Sequence, residues 1–165
     1  MANANSSEEG RYQVEETIKT WLVEEGWSLT EQTQPELRFA IVAQDEAGRK
    51  LIVGQENKRP DRIVIQASVT YGPDDQKRFN ALPQKKRREF LWELRFDLLQ
   101  MDVEFGGLSE PLQRVSVSQL IFYDALLKDA FMQRLSEVKK ALLLIMWKVA
   151  QLMEEPPPQM GFIKG

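Results

Sequence analysis

The stretch LRFAIVAQDEAGRKLIVGQENKRPDRIVIQASVTY, residues 37–71, decides the fold class. Three runs of apolar and β-branched residues are separated by two short polar segments, DEAGRK (45–50) and NKRPDR (57–62). In the first run Leu37, Phe39, Ile41 and Ala43 alternate with Arg38, Ala40 and Val42. That period of two marks a strand with one well-buried face. Gly48 suits the positive φ that a hairpin loop needs. KLIVGQE (50–56) returns as a second strand and RIVIQASVTY (62–71) is a third. Links this short leave no room for a crossover helix, so the strands pair antiparallel.

Upstream, residues 11–25 read as a helix, with Val14, Ile18, Trp21 and Leu22 opposite Glu15, Glu16, Lys19 and Glu24. Gly26 is its expected C′ residue. Residues 27–29 make a short strand before the turn at Gln34 and Pro35, and residues 1–10 are expected to be a disordered tail. Downstream, Gly72 and Pro73 end the strand region, and Asp74 or Asp75 is the expected cap of a short helix through Leu82. Pro83 fits the first turn of a helix running to about residue 101. Phe90, Leu91, Leu94, Leu98 and Met101 form its stripe, widened by Trp92, Phe96 and Leu99, so both sides are expected to contact protein. VEFGG (103–107) and QRVSVSQLIF (113–122) then form a strand pair, with Val115, Val117 and Gln119 on one face.

From Tyr123 to Met153 nothing in the sequence breaks a helix. Phe131, Leu135, Val138, Leu142, Ile145, Val149 and Leu152 recur in steps of four and three. Around this stripe stand Leu143, Leu144, Met146, Trp147, Ala150 and Met153, and a helix apolar on all sides needs more than one packing partner. One partner is the sheet. A second subunit is favoured over the N-terminal helix as the other, because so much apolar area rarely stays exposed on a monomer. The expected dimer interface is Leu142, Ile145, Met146, Val149 and Leu152. The expected fold is α+β, an antiparallel sheet with helices on one face, in the order α-β-β-β-α-β-β-α with a long C-terminal helix. A single domain, 11–153, lies between the tail 1–10 and a Pro-rich tail 154–165.

Composition narrows the chemistry. The 165 residues contain neither cysteine nor histidine. That removes thiolate and imidazole ligands, thiol nucleophiles and the commonest general base near neutral pH. No cofactor is expected and no enzymatic activity. A net charge of −3 argues against nucleic-acid binding. The opening MANANSSEEGRYQ lacks a basic region ahead of an apolar run, and ALLLIMW (141–147) is far short of a membrane span. The protein is therefore read as cytoplasmic and not membrane-bound.

The order of elements, small size, acidic balance and amphipathic last helix, FMQRLSEVKKALLLIMWKVAQLM (131–153), resemble the type III secretion chaperone-like fold. That fold occurs in small acidic dimeric chaperones, in YbjN-like proteins and in a small prokaryotic family of unknown function. The resemblance spans residues 11–153 and rests on no diagnostic motif. It implies a homodimer that binds extended polypeptide along the sheet and helix surface, and it implies no catalytic residues.

Four basic residues in a row, Lys85, Lys86, Arg87 and Arg88, open the helix LPQKKRREFLWELRF (82–96). They cover one turn and oppose the helix dipole, so they are a candidate patch for phosphate or an acidic partner. The plainer reading is a solvated helix end, because single-strand binding needs exposed aromatics and Trp92 and Phe96 fit the core. Asp97, Asp102 and Glu104 lie close in sequence at a helix-to-strand turn, and Glu110 follows; they are the candidates for Mg²⁺ binding or acid–base work, against the plainer reading that surface acids near turns are common. Gly106–Gly107 read as a plain turn. Pro156–Pro158 end the last helix, or serve as a polyproline segment, with Met160, Phe162 and Ile163 candidates for docking onto a neighbouring subunit.

Overall fold

In the computed structural model, which describes residues 4–154 (backbone alone for 4–9 and Arg11), the three runs are strands β2 (Leu37–Gln44), β3 (Lys50–Glu56) and β4 (Arg62–Thr70). They pair antiparallel, with Ile41 opposite Val53 and Val53 opposite Ile65. β1 (Ser28–Gln32) extends the sheet beside β2, while β6 (Arg114–Phe122) pairs along the whole of β4. The short β5 (Glu104–Gly106) forms the far edge, giving six strands in the order β1-β2-β3-β4-β6-β5. The four helices are α1 (Ala4–Glu24), α2 (Pro73–Asn80), α3 (Gln84–Leu99) and α4 (Lys128–Leu152).

All four helices cover one face of this sheet. Ile41, Val53, Ile63, Ile65, Val117 and Ile121 point into a core shared with Phe131, Leu135, Val138, Leu142 and Ile145 of α4. α1 adds Ile18 and Leu22, and its Trp21 ring lies 5.8 Å from that of Phe131. Phe79 of α2 meets Phe90 of α3 edge-on at 6.2 Å. The alternation read in β2 holds for Phe39, Ile41 and Ala43 but not for Leu37: an irregularity between Leu37 and Phe39 turns Leu37 to the helix-free face over Gly54, and Ala40 is buried as well. Gln119 is interior, on the same face as Val115 and Val117.

The structure departs from the sequence reading at element ends. α1 starts at Ala4, ahead of the expected residue 11. The segment at 27–29 becomes a full strand because its backbone completes the ladder to β2. Gly72, not an aspartate, is the N-cap of α2; Asp74 and Asp75 lie in its first turn, where their charge favours the helix dipole. Pro83 is the N-cap of α3 rather than a residue of its first turn. The run from Tyr123 is not one helix. Tyr123–Ala125 form a 3-10 turn, and Leu127, extended at φ −117° and ψ 154°, precedes α4. Leu126 and Leu127 carry no breaking signal, since leucine is a good helix former. The break follows from topology, because the chain leaving β6 must turn back across the sheet. Residues 1–3 and 155–165, with Pro156–Pro158, Met160, Phe162 and Ile163, lie outside the described residues.

The β2–β3 hairpin is fastened by one carboxylate. Asp45 Oδ1 accepts the backbone N–H groups of Ala47 (3.0 Å) and Arg49 (2.9 Å), while Gly48 takes φ 80°. Lys139 of α4 places its Nζ 2.8 Å from Asp45 Oδ2. Burial alone would raise the Asp45 pKa, but the Lys139 and Arg49 contacts outweigh it and hold the carboxyl below its ordinary 3.8. A depressed carboxylate pKa stabilises the fold fully above the unfolded value, and that contribution is lost as pH falls through the folded value. Asp45→Asn should therefore destabilise the protein by about 1.5–3 kcal/mol at pH 7. The gap from wild type should shrink below about pH 4. Urea unfolding at pH 7 and pH 3 measures both; an equal loss at the two values would contradict the clamp.

Candidate interaction surface

Most of the α4 stripe is spent inside the chain. Leu142 is 4% exposed and Ile145 fully buried in the core beneath the sheet, so neither presents a side chain to a second subunit. This corrects their expected place at a dimer interface. Met146, Val149 and Leu152 are partly buried against the same core. Met146 and Val149, with Tyr71, Phe79 and Leu112, line an apolar cavity of about 200 Å³ at the end of α4. Burial, with the nearby charge of Asp75, holds the Tyr71 phenol neutral by raising its pKa.

The unexpected exposure is on α3. Its buried side carries Phe90, Leu91, Leu94 and Leu98, which face the core. Trp92 (52%), Phe96 (57%) and Leu99 (70%) stand in solvent, contrary to the expectation that protein covers them. The helix is packed from one side only, so residues three and four apart on its far side find nothing above them. Trp92 and Phe96 stack with ring centroids 5.8 Å apart, and the Arg95 guanidinium lies 4.8 Å from the Trp92 ring. Such cation–π contacts are worth roughly 0.5–1 kcal/mol at exposed sites. Arg88, Trp92, Arg95, Phe96 and Leu99 thus follow one line along the helix, about 16 Å long at ~1.5 Å per residue.

The basic quartet divides. Arg87 is tied down: its Nε lies 2.5 Å from Glu110, and its Nη1 donates to the carbonyls of Asn80 (2.9 Å) and Leu82 (2.6 Å). It is a fastener between α2, α3 and the 110 loop. Lys85, Lys86 and Arg88 are exposed, with Lys85 loosely paired to Glu89 at 3.9 Å. Arg88 borders a cleft of about 220 Å³ shared with Trp92, Arg95, Ser109 and Glu110. A neighbouring ridge of α3 is acidic: Glu93 and Asp97 hold Lys148 of α4 at 2.6 and 3.1 Å, and the pair raises the lysine's pKa.

At its other end the line reaches Leu99, which opens into a groove of about 680 Å³ between α3, β6 and α4. Leu120, Ala130, Arg134 and Glu137 form its far wall. Its base is a polar network: Gln119 donates to the Asp102 carbonyl and to Glu137, and Arg134 donates to the Leu120 carbonyl at 3.0 Å. Beyond the Glu104–Ser118 pair, β6 has no strand partner on this side among the described residues, so its edge borders the groove.

The candidate carboxylates are held apart. Asp97 serves Lys148, Glu110 serves Arg87, Asp102 contributes only its carbonyl to Gln119, and Glu104 lies in β5. Among the described residues no three acidic side chains gather as a metal site, and no helix is long and apolar enough to cross a membrane. The Gly106–Gly107 turn has Gly107 at φ 85°, where a Cβ would stand 1.8 Å from the Arg114 carbonyl oxygen. Sequence reasoning assigned Trp92 and Phe96 to the core because aromatics at helical spacing usually sit there. Their alignment with Arg88 and Arg95, opposite Leu91, Leu94 and Leu98, was the signal that places them outside.

A model of the family described as "Uncharacterized conserved protein (DUF2299)" matches residues 14–149. A crystal structure of an uncharacterized protein from Methanothermobacter thermautotrophicus is 32% identical, with TM-score 0.76 over 82% of this chain and 96% of that one. YbjN from E. coli is 12% identical, with TM-score 0.47 over 84% and 87%. No curated protein matches the chain.

The exposure pattern has a direct consequence for stability. Trp92→Ala and Phe96→Ala should each change unfolding free energy by less than about 1 kcal/mol, whereas Leu94→Ala should cost about 2–5 kcal/mol. Urea denaturation of the three variants checks this; a Trp92→Ala loss as large as that of Leu94→Ala would return the tryptophan to the core.

Proposed function

The chain belongs to the DUF2299 family, and on that premise we propose that it is a non-enzymatic, cytoplasmic, homodimeric protein that binds other polypeptides in the manner of a chaperone or adaptor. The single observation that carries this reading is the exposed line Trp92–Phe96–Leu99, flanked by Arg88 and Arg95 and leading into the groove beside β6. Tryptophan and arginine are the side chains most enriched at energetic centres of protein interfaces. Unpaired backbone at a strand edge is a ready template for an added strand. A bound segment lies along α3 with apolar side chains on Trp92 and Phe96, then continues into the groove against the β6 edge. The absence of histidine and cysteine, and the pairing of Asp97 and Glu110 with cations, support a binding role over a catalytic one.

One observation favours a second reading. The exposed aromatics now interleave with Lys85, Arg88 and Arg95, the pattern used to stack and neutralise single-stranded nucleic acid. Against it stand the acidic ridge of Glu89 and Glu93 beside the line and the −3 net charge.

Titration with a permanently unfolded polypeptide, such as a reduced and carboxymethylated globular protein, separates the two. Tryptophan fluorescence should report saturable binding that Trp92→Ala or Phe96→Ala weakens roughly tenfold, with little response to salt. Failure to bind, or indifference to both substitutions, would refute the reading. Binding of an oligo-dT strand that falls steeply with salt and is lost in Arg88→Ala would instead establish the second.

A further inference from the structure

The two ends of the α3 line differ in charge. At one end Arg88 and Arg95 border the same cleft, with Lys85 and Lys86 exposed beside it. The carboxylate in that lining, Glu110, is held by Arg87 at 2.5 Å, so the arginine pair keeps its positive charge. The groove at the other end has the opposite balance. Among the described residues that line it, Asp102, Glu104 and Glu137 face one cation, Arg134. The Arg134 guanidinium is turned to the Leu120 carbonyl at 3.0 Å, and Glu137 takes its hydrogen bond from Gln119 rather than from a cation. Asp102 and Glu104 stand exposed.

The fold fixes the separation of these two charges. From Arg88 to Leu99 the helix advances about 16 Å at ~1.5 Å per residue, a span that an extended chain covers in about five residues at ~3.3 Å each. Beyond Leu99 the edge of β6 takes over, since β5 ends its pairing at Glu104 and Ser118. A strand laid along that edge sends alternate side chains to opposite sides of the sheet. One set falls beside Glu104 and Leu120, the other beside Gln119 and Glu137, so a long basic side chain meets a carboxylate on either side. We propose that the polypeptide segment taken by this surface is charge-polarised. Its acidic end lies over Arg88 and Arg95, its apolar centre over Trp92, Phe96 and Leu99, and its basic end in the groove.

A segment of that kind meets complementary charge at both ends, whereas a uniformly charged one loses at one end what it gains at the other. A nucleic-acid strand is uniformly charged: its phosphates are drawn to Arg88 and Arg95 but repelled by the carboxylates of the groove. Charge pairs at the rim of an interface select among partners more than they add affinity. An unfolded chain of mixed sequence therefore binds through its apolar residues, and the order of its charges decides which stretch of it docks.

This polarity rests on the polypeptide-binding reading above, and fluorescence anisotropy with labelled synthetic peptides tests the two separately. All the peptides share one six-residue apolar centre. The polarised peptide carries two glutamates at one end and two lysines at the other, and is made in both chain directions; the uniform peptides carry four glutamates or four lysines. In at least one direction the polarised peptide should bind roughly fivefold tighter than either uniform peptide. Arg88→Glu should erase its advantage over the all-lysine peptide, and Asp102→Lys/Glu104→Lys its advantage over the all-glutamate peptide. These positions are exposed, and unfolding curves of the variants establish that the fold is retained. Equal binding of all the peptides by wild type, or advantages that survive both sets of substitutions, would overturn the polarity and leave polypeptide binding standing. Binding of the carboxymethylated polypeptide but of none of the peptides would do the same. If neither binds, the polypeptide reading falls and the polarity with it.

Discussion

The packing of α4 across β4 and β6 is the constraint on which the rest of the molecule depends. Phe131, Leu135, Val138, Leu142 and Ile145 are each at most 4% exposed, and they meet Ile63, Ile65, Val117 and Ile121 from the sheet. Burying an aliphatic or aromatic side chain is worth about 1.5–3 kcal/mol against leaving it in water, so these few residues supply a large part of the driving force. α1 is placed by the same helix, through Trp21 on Phe131 and through Lys128, whose Nζ reaches Glu24 at 2.8 Å and Glu25 at 2.9 Å. The β2–β3 hairpin is tied to it by Lys139 and Asp45, and α3 by Lys148 with Glu93 and Asp97. Each remaining element is referred to one helix.

That arrangement decides which apolar surface is left over. Most of the α4 stripe is consumed inside the chain, whereas the outer side of α3 keeps Trp92, Phe96 and Leu99 in solvent. That surface is a line of aromatics and arginines ending in the groove beside β6.

Much of this was legible in the residues. Alternation in 37–44, glycine at 48 and the short links gave β2, β3, β4 and their pairing, because period and turn chemistry act locally. The long C-terminal helix was legible from its stripe, though the interruption at Leu126 and Leu127 was not, since it is imposed by the return from β6. Which neighbour covers a stripe is a tertiary fact. Leu142 and Ile145 carry the same local signal whether they meet a sheet or a second subunit, and the spacing of Trp92 and Phe96 reads as core unless their alignment with Arg88 and Arg95 is weighed against it.

Native-state hydrogen exchange, followed residue by residue over a wide range of protein concentration, tests the central claim most directly. If α4 is the core of each protomer, amides of residues 131–145 will exchange only through global unfolding, with protection that does not change on dilution. Protection of those amides that falls as the protein is diluted would show that α4 is held by a second subunit, and would contradict the account.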